Sequence, residues 1–177
     1  MKIANKQLIF TSLLMLALVF AANAQKVKKT GNRCPGTNGL QETEIAALLD
    51  AHNKIRADVG LSKLKWNCKL ADLAQEWATR GKFEHRVNPV YGENLFVASE
   101  TNALAAESVQ TWLMEKSFWN NSAGTCQAGK VCVHYTQMVW RNTTEIGCGI
   151  NRKASGKWQL MLVCNYNPMG NYAGKAY

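Results

Sequence analysis

Apolar residues along this chain change their spacing about two thirds of the way through, and the change predicts where helices give way to strands. Ile45, Leu48, Leu49, His52 and Ile55 follow Thr43 at intervals of three and four, the period of a helix with one buried stripe. Leu70, Leu73, Ala74, Trp77 and Ala78 repeat that spacing before Gly81 and predict a second helix. Leu104, Ser108, Val109 and Trp112 predict a third, and Glu115, three residues past Trp112, falls on its inward face. An apolar replacement of Glu115 is expected to be tolerated there, because it removes the cost of burying a charge. His134 heads a further helical run in "VCVHYTQMVW" and also faces inward.

In the last third the period shortens. Ile146 to Ile150 and Trp158 to Tyr166 read as two strands around the turn-forming Ala154-Ser155-Gly156. Opposed residues of an antiparallel hairpin have a constant index sum, which sets Cys148 against Cys164, Ile150 against Leu162 and Ile146 against Tyr166. Leu160 to Cys164 are apolar without alternation, so the sheet must be covered on both faces. The expected fold is α+β, a three-layer α-β-α sandwich with a small antiparallel sheet between helices. No internal repeat or low-complexity tract interrupts it.

Lys2 and Lys6 precede an apolar run from Leu8 to Ala22, and Ala22-Asn23-Ala24 offers small residues to a signal peptidase. A signal peptide over 1–24 is expected, then a basic segment over 25–41 and one domain over 42–177. The chain should be secreted and extracellular, or periplasmic if the source is a Gram-negative bacterium. The formal charge of +9 argues little for nucleic acid. Lys2 and Lys6 leave with the leader, Lys26, Lys28, Lys29 and Arg33 stand before the first helix, and no nucleic-acid motif accompanies them. No transmembrane segment is expected, and the domain should be a monomer. Asn120-Asn121-Ser122 and Asn142-Thr143-Thr144 are glycosylation sequons in a eukaryotic host.

Export changes the meaning of the six cysteines, which in an oxidising compartment read as disulfides. The hairpin register pairs Cys148 with Cys164. Cys126 and Cys132 flank a compact loop containing Gly129, and Cys34 with Cys68 remain by elimination alone. A competing zinc site from Cys126, Cys132 and His134 has irregular spacing.

Four polar residues remain for chemistry: His85 in "GKFEHR", Glu93 in the predicted turn "YGENLF", Glu115 and His134. Each alone reads as a hydrogen-bonded structural residue. Converging, they would need one another or a cation to offset desolvation.

From about Glu42 to Tyr166 the chain resembles the CAP superfamily: cysteine-rich secretory proteins, antigen 5 of insect venoms and, closest in look, the pathogenesis-related group-one proteins of plants. The matching stretches are "LLDAHNKIRADVGL", "LKWNCKLADLAQEWA", "HRVNPVYGENL", "TWLMEKSFWN", "VCVHYTQMVWRNTTEIGCGI" and "LMLVCNYNPMGN". The resemblance implies an α-β-α sandwich with a central cavity lined by two histidines and two glutamates, which by position are His85, Glu93, Glu115 and His134. His52 would then be a structural core histidine.

Departures from the plant pattern limit what carries over. Lys82-Phe83-Glu84 and Asn151-Arg152-Lys153 stand where plant members have a bridged cysteine pair. The C-terminal "NPMGNYAGKAY" resembles a plant terminus released as a signalling peptide, but Asn167 replaces its aspartate and Ala176 its last proline.

The four residues suit zinc or another divalent cation, with the imidazoles as ligands and the carboxylates as weak ligands or orienting acceptors. No cofactor is required. The same set in a metal-dependent hydrolase or protease is the alternative, although no "GxSxG" elbow supplies a nucleophile. The resemblance favours a defence- or host-interaction-related binding protein, with lipids such as sterols or fatty acids as partners, over an enzyme. A membrane-perturbing protein would draw on the basic tail.

Overall fold

The computed structural model describes residues 34, 38–154 and 156–177. The expected leader lies outside them, as do Ser155 and, apart from Cys34, the basic segment up to residue 37. Helix α1 spans Glu42–Asp58, β1 Lys65–Trp66, α2 Cys68–Thr79, β2 Gly92–Ala98 and α3 Glu107–Leu113. A 3-10 turn over Met114–Phe118 leads into β3, Trp119–Asn120, and β4, Thr125–Cys126; α4, Val133–Met138, β5, Glu145–Asn151, and β6, Leu160–Asn167, follow. At the start of α1 the Gln41 amide donates to Glu44 Oε2 at 2.9 Å, one half of a capping box.

The main sheet has the order β1-β5-β6-β2, parallel between β1 and β5 and antiparallel elsewhere. Across β5 and β6, Cys148 faces Cys164, Ile150 faces Leu162 and Ile146 faces Tyr166, the register that the index sum predicts. Strand β6 starts at Leu160 rather than Trp158. Gln159 instead ties two loop ends, donating its amide to Ala98 and accepting from that of Ala154.

Both faces of β6 are covered, which is why its sequence shows no alternation. Leu160, Leu162, Cys164 and Tyr166 join the larger core with Leu48 of α1, Val109 and Trp112 of α3, and Tyr135 and Met138 of α4. Met161 and Val163 pack on the opposite side with Ala74, Trp77 and Ala78 of α2. Helix α2 lies almost on the backbone of β5: a Cβ at Gly147 would sit 2.3 Å from the Ala71 nitrogen, and one at Gly149 2.3 Å from the Gln75 nitrogen. Two glycines flanking Cys148 thus set the spacing of the α2 layer.

Three local expectations change. Leu104 is exposed and precedes α3, its carbonyl accepting from the Glu107 amide at 3.0 Å, while Ala105 takes the buried place. Glu115 lies in the 3-10 turn, since the α-helix ends at Leu113. Glu93 belongs to strand β2, held against Asn165 of β6, and not to a turn.

The disulfides join Cys34 to Cys68, Cys126 to Cys132 and Cys148 to Cys164, with no free cysteine. Both sulfurs of the alternative zinc set are therefore committed to one bridge. No helix among the described residues is long and apolar enough to cross a membrane.

Candidate functional site

Glu115 reaches α4 from the 3-10 turn and holds its first residues. Its Oε2 accepts from the backbone amides of His134 and Tyr135, each at 3.0 Å, and its Oε1 accepts from His134 Nδ1 at 2.6 Å. The first amides of a helix have no partner within it, and here a carboxylate from a separate segment supplies one. A carboxylate can only accept, so Nδ1 carries the proton and Nε2 keeps its lone pair in the neutral ring. The imidazole also stacks on Trp112, with ring centroids 6.2 Å apart and planes 9° from parallel. Three hydrogen bonds meeting on Glu115 weigh against the expectation that an apolar residue would be tolerated there.

His85 sits between α2 and β2, with 58% of its side chain exposed, and donates Nδ1 to Glu93 Oε1 at 2.9 Å. That hydrogen bond raises the imidazole pKa above its usual value, against a smaller opposing effect of burial. The Glu93 side chain is only 3% exposed, and it has a second cationic neighbour: Arg86 Nε lies 3.4 Å from Oε2. The geometry falls short of a hydrogen bond, leaving both atoms buried without a hydrogen-bond partner. Arg86 is further fixed by the Leu73 carbonyl and by the Trp77 ring, 4.8 Å below its guanidinium carbon.

The structure thus brings Glu115 to His134 and Glu93 to His85. Among the described residues no three His, Cys, Asp or Glu side chains gather to hold one metal ion. Along β2, Leu95 packs on α2, Asn94 reaches the His134 carbonyl, and Glu93 meets His85 and Arg86.

Motifs far apart in sequence close around that point. Asn94 donates Nδ2 to the His134 carbonyl at 3.0 Å. A Cβ on Gly92 would stand 2.0 Å from Gln137 Oε1, so a larger residue there would displace the Gln137 side chain. Gln137 in turn accepts from the Gly170 amide at 3.0 Å, and Asn171 accepts from Thr136 and donates to the Val133 carbonyl. A cleft of about 220 Å³ opens here, lined by His85, Tyr91, Glu93, Gln137 and Asn171 among others; Glu115 and His134 do not line it.

Behind the cleft runs a buried relay. His52 donates Nδ1 to the Leu48 carbonyl at 2.7 Å and accepts from the Tyr166 hydroxyl at 2.9 Å; that hydroxyl accepts from Asn94 at 3.3 Å. Burial lowers the His52 pKa to about 4, so the ring is neutral and the relay holds. Sequence reasoning missed Arg56, one helical turn further along α1. It is buried, with no carboxylate paired to it among the described residues, and donates to the carbonyls of Met138, Trp140 and Thr143 at 2.9–3.0 Å, fastening the end of α4. Burial lowers its pKa to about 10. Its place one turn past His52 on a core-facing stripe was the available signal.

Comparison with known proteins adds three findings. The model of the cysteine-rich secretory protein family, CAP, matches residues 49–166. Pathogenesis-related protein 1A of Nicotiana tabacum is 38% identical over 146 residues, covering 81% of this chain and 83% of that protein, and pathogenesis-related leaf protein 4 of Solanum lycopersicum is 34% identical over 176 residues, covering 99% and 98%. Among solved structures, BmVAL-1 superposes with a TM-score of 0.71 at 26% identity, covering 82% of this chain and 86% of that one. NaASP2, crystallised with Zn2+, gives 0.68 at 26%, covering 81% and 88%.

Proposed function

This chain belongs to the cysteine-rich secretory protein (CAP) family, and from that premise we propose that it is a secreted, defence-related binding protein that takes a divalent cation through His85 and His134. The observation that carries this reading is the pair of imidazoles, each giving Nδ1 to a carboxylate and keeping Nε2 for a ligand. That is how glutamates orient metal-binding histidines from behind. NaASP2, similar in fold and solved with Zn2+, supports the choice of cation. The donor set would make a weak site: no group of three His, Cys, Asp or Glu side chains gathers among the described residues, so water would have to complete the coordination. The cation would supply a positive centre for an anionic or carbonyl oxygen of a ligand, while Glu93 and Glu115 fix the rings.

Sterols or fatty acids are the proposed apolar ligands, a reading that rests on family membership and on exposed apolar residues such as Met114 and Val133. Native mass spectrometry of the secreted protein, purified without chelator, tests both parts. A retained metal and a retained lipid are expected; neither retained after incubation with zinc and sterol would refute the reading. The hydrolase alternative predicts ester or peptide turnover that chelation stops.

A further inference from the structure

Three open clefts adjoin on this protein. One of about 260 Å³ follows the 86–91 loop over Leu73 and Asn165; the second is the His85 and Glu93 cleft; the third, of about 230 Å³, lies among Trp119, Trp140 and Tyr172. Pro89 and Tyr91 line both the first and the second, and Val133 and Asn171 line both the second and the third. The second cleft therefore adjoins each of the other two. Exposed apolar side chains occur in all three: Val87 and Val90 line the first, Val133 the second and third, and Tyr172 the third.

The lining is amphipathic. Tyr91 stands in the first two clefts and Trp119, Trp140 and Tyr172 in the third, the amides of Asn88, Gln137, Asn165 and Asn171 contribute polar lining, and the charges of Arg86 and Glu93 face each other at 3.4 Å. We propose that the three clefts form one trough that binds a neutral oligosaccharide, with Tyr91 and Tyr172 as platforms for successive sugar rings. A pyranose ring has an apolar C–H face that packs on an aromatic ring and a rim of hydroxyls that amides and tyrosine hydroxyls can bond. A paired lining gives a charged polymer no advantage.

Other occupants fit less well. A lipid tail needs a pocket that buries most of its surface in apolar walls, and these clefts are open and polar in part. An extended peptide would add itself to the free edge of β2, but the Leu95 carbonyl on that strand already accepts from the Trp112 indole at 3.2 Å. The trough does not depend on the cation or on the lipid proposed above.

Titration with cellohexaose, laminarihexaose and chitohexaose, followed by calorimetry and tryptophan fluorescence, tests it. At least one hexasaccharide should bind about tenfold more tightly than its disaccharide, because more rings find platforms, and added salt should change little. Tyr172→Ala alters a side chain 64% exposed, so the fold is not at risk, and should weaken binding about tenfold; Tyr91→Ala should do the same. Leu104→Ser, exposed and outside all three clefts, should leave affinity unchanged. Failure of all three hexasaccharides to bind, equal affinity for disaccharide and hexasaccharide, or binding that survives both tyrosine substitutions would overturn the proposal.

Discussion

His134 and His85 each donate Nδ1 to a glutamate, but the first pair is built into the framework and the second hangs from a loop. Around His134, the Cys126–Cys132 bridge ends one residue before α4, Glu115 holds the helix amides, Arg56 fastens the far end and Asn94 binds the carbonyl of His134 itself. His85 has Glu93 behind it and is more than half exposed. The same local chemistry therefore serves two purposes: one histidine is fixed within the framework, and the other lines the cleft, exposed to what enters it.

The sharpest way to break this contrast is to remove the hub of the rigid side. Glu115→Leu leaves two α4 amides and the His134 imidazole without their acceptor, and should cost about 4 kcal/mol in urea unfolding, since hydrogen bonds to charged groups are the costly ones to lose. A loss below about 1 kcal/mol would mean that α4 is held by packing alone.

Acid should attack the same side. The folded-state pKa of His52 is lowered from 6.5 to about 4, so between those values the unfolded chain binds the proton more readily. Its contribution is complete above pH 6.5 and falls as pH drops toward 4, by about 3 kcal/mol. Protonated His52 can no longer accept from Tyr166, and the relay to Asn94 opens. His85 has the opposite sign: its raised pKa favours the folded state below the ordinary imidazole value, and that contribution fades as pH rises through the shifted one. Unfolding midpoints measured from pH 4 to 8 should be dominated by His52, and His52→Ala should flatten the acid limb.

Gly92→Ala is the mildest of these changes. Its Cβ would press on the end of the Gln137 side chain, itself buried and bonded to the Gly170 amide, so that side chain must move and give up part of its hydrogen bonding, at a cost of about 2 kcal/mol. Thermal unfolding measures it.

How much of this was legible in the sequence differs between the two sides. The β5–β6 register follows from an index sum because both strands belong to one hairpin, and Cys148 and Cys164 lie where that sum puts them. Helical spacing likewise placed Trp112 and His52 in the core. Periodicity failed where an element changes type: α3 becomes a 3-10 turn before Glu115, and "YGENLF" enters strand β2 because β6 offers it a ladder. Nor does local pattern show that Arg56 bonds carbonyls more than 80 residues away. Only the folded chain shows that Glu93 and Glu115 serve different histidines.

Calorimetric zinc titration at neutral pH of the wild type, His85→Ala, His134→Ala, their double variant and His52→Ala tests most directly whether the two pairs share one cation. The account predicts that each of the first two substitutions weakens binding by about tenfold or more, as loss of a ligand or its support does. The double variant should add little, and His52→Ala should bind as the wild type does while losing stability. Undiminished binding by His134→Ala together with strong weakening by His52→Ala would contradict it.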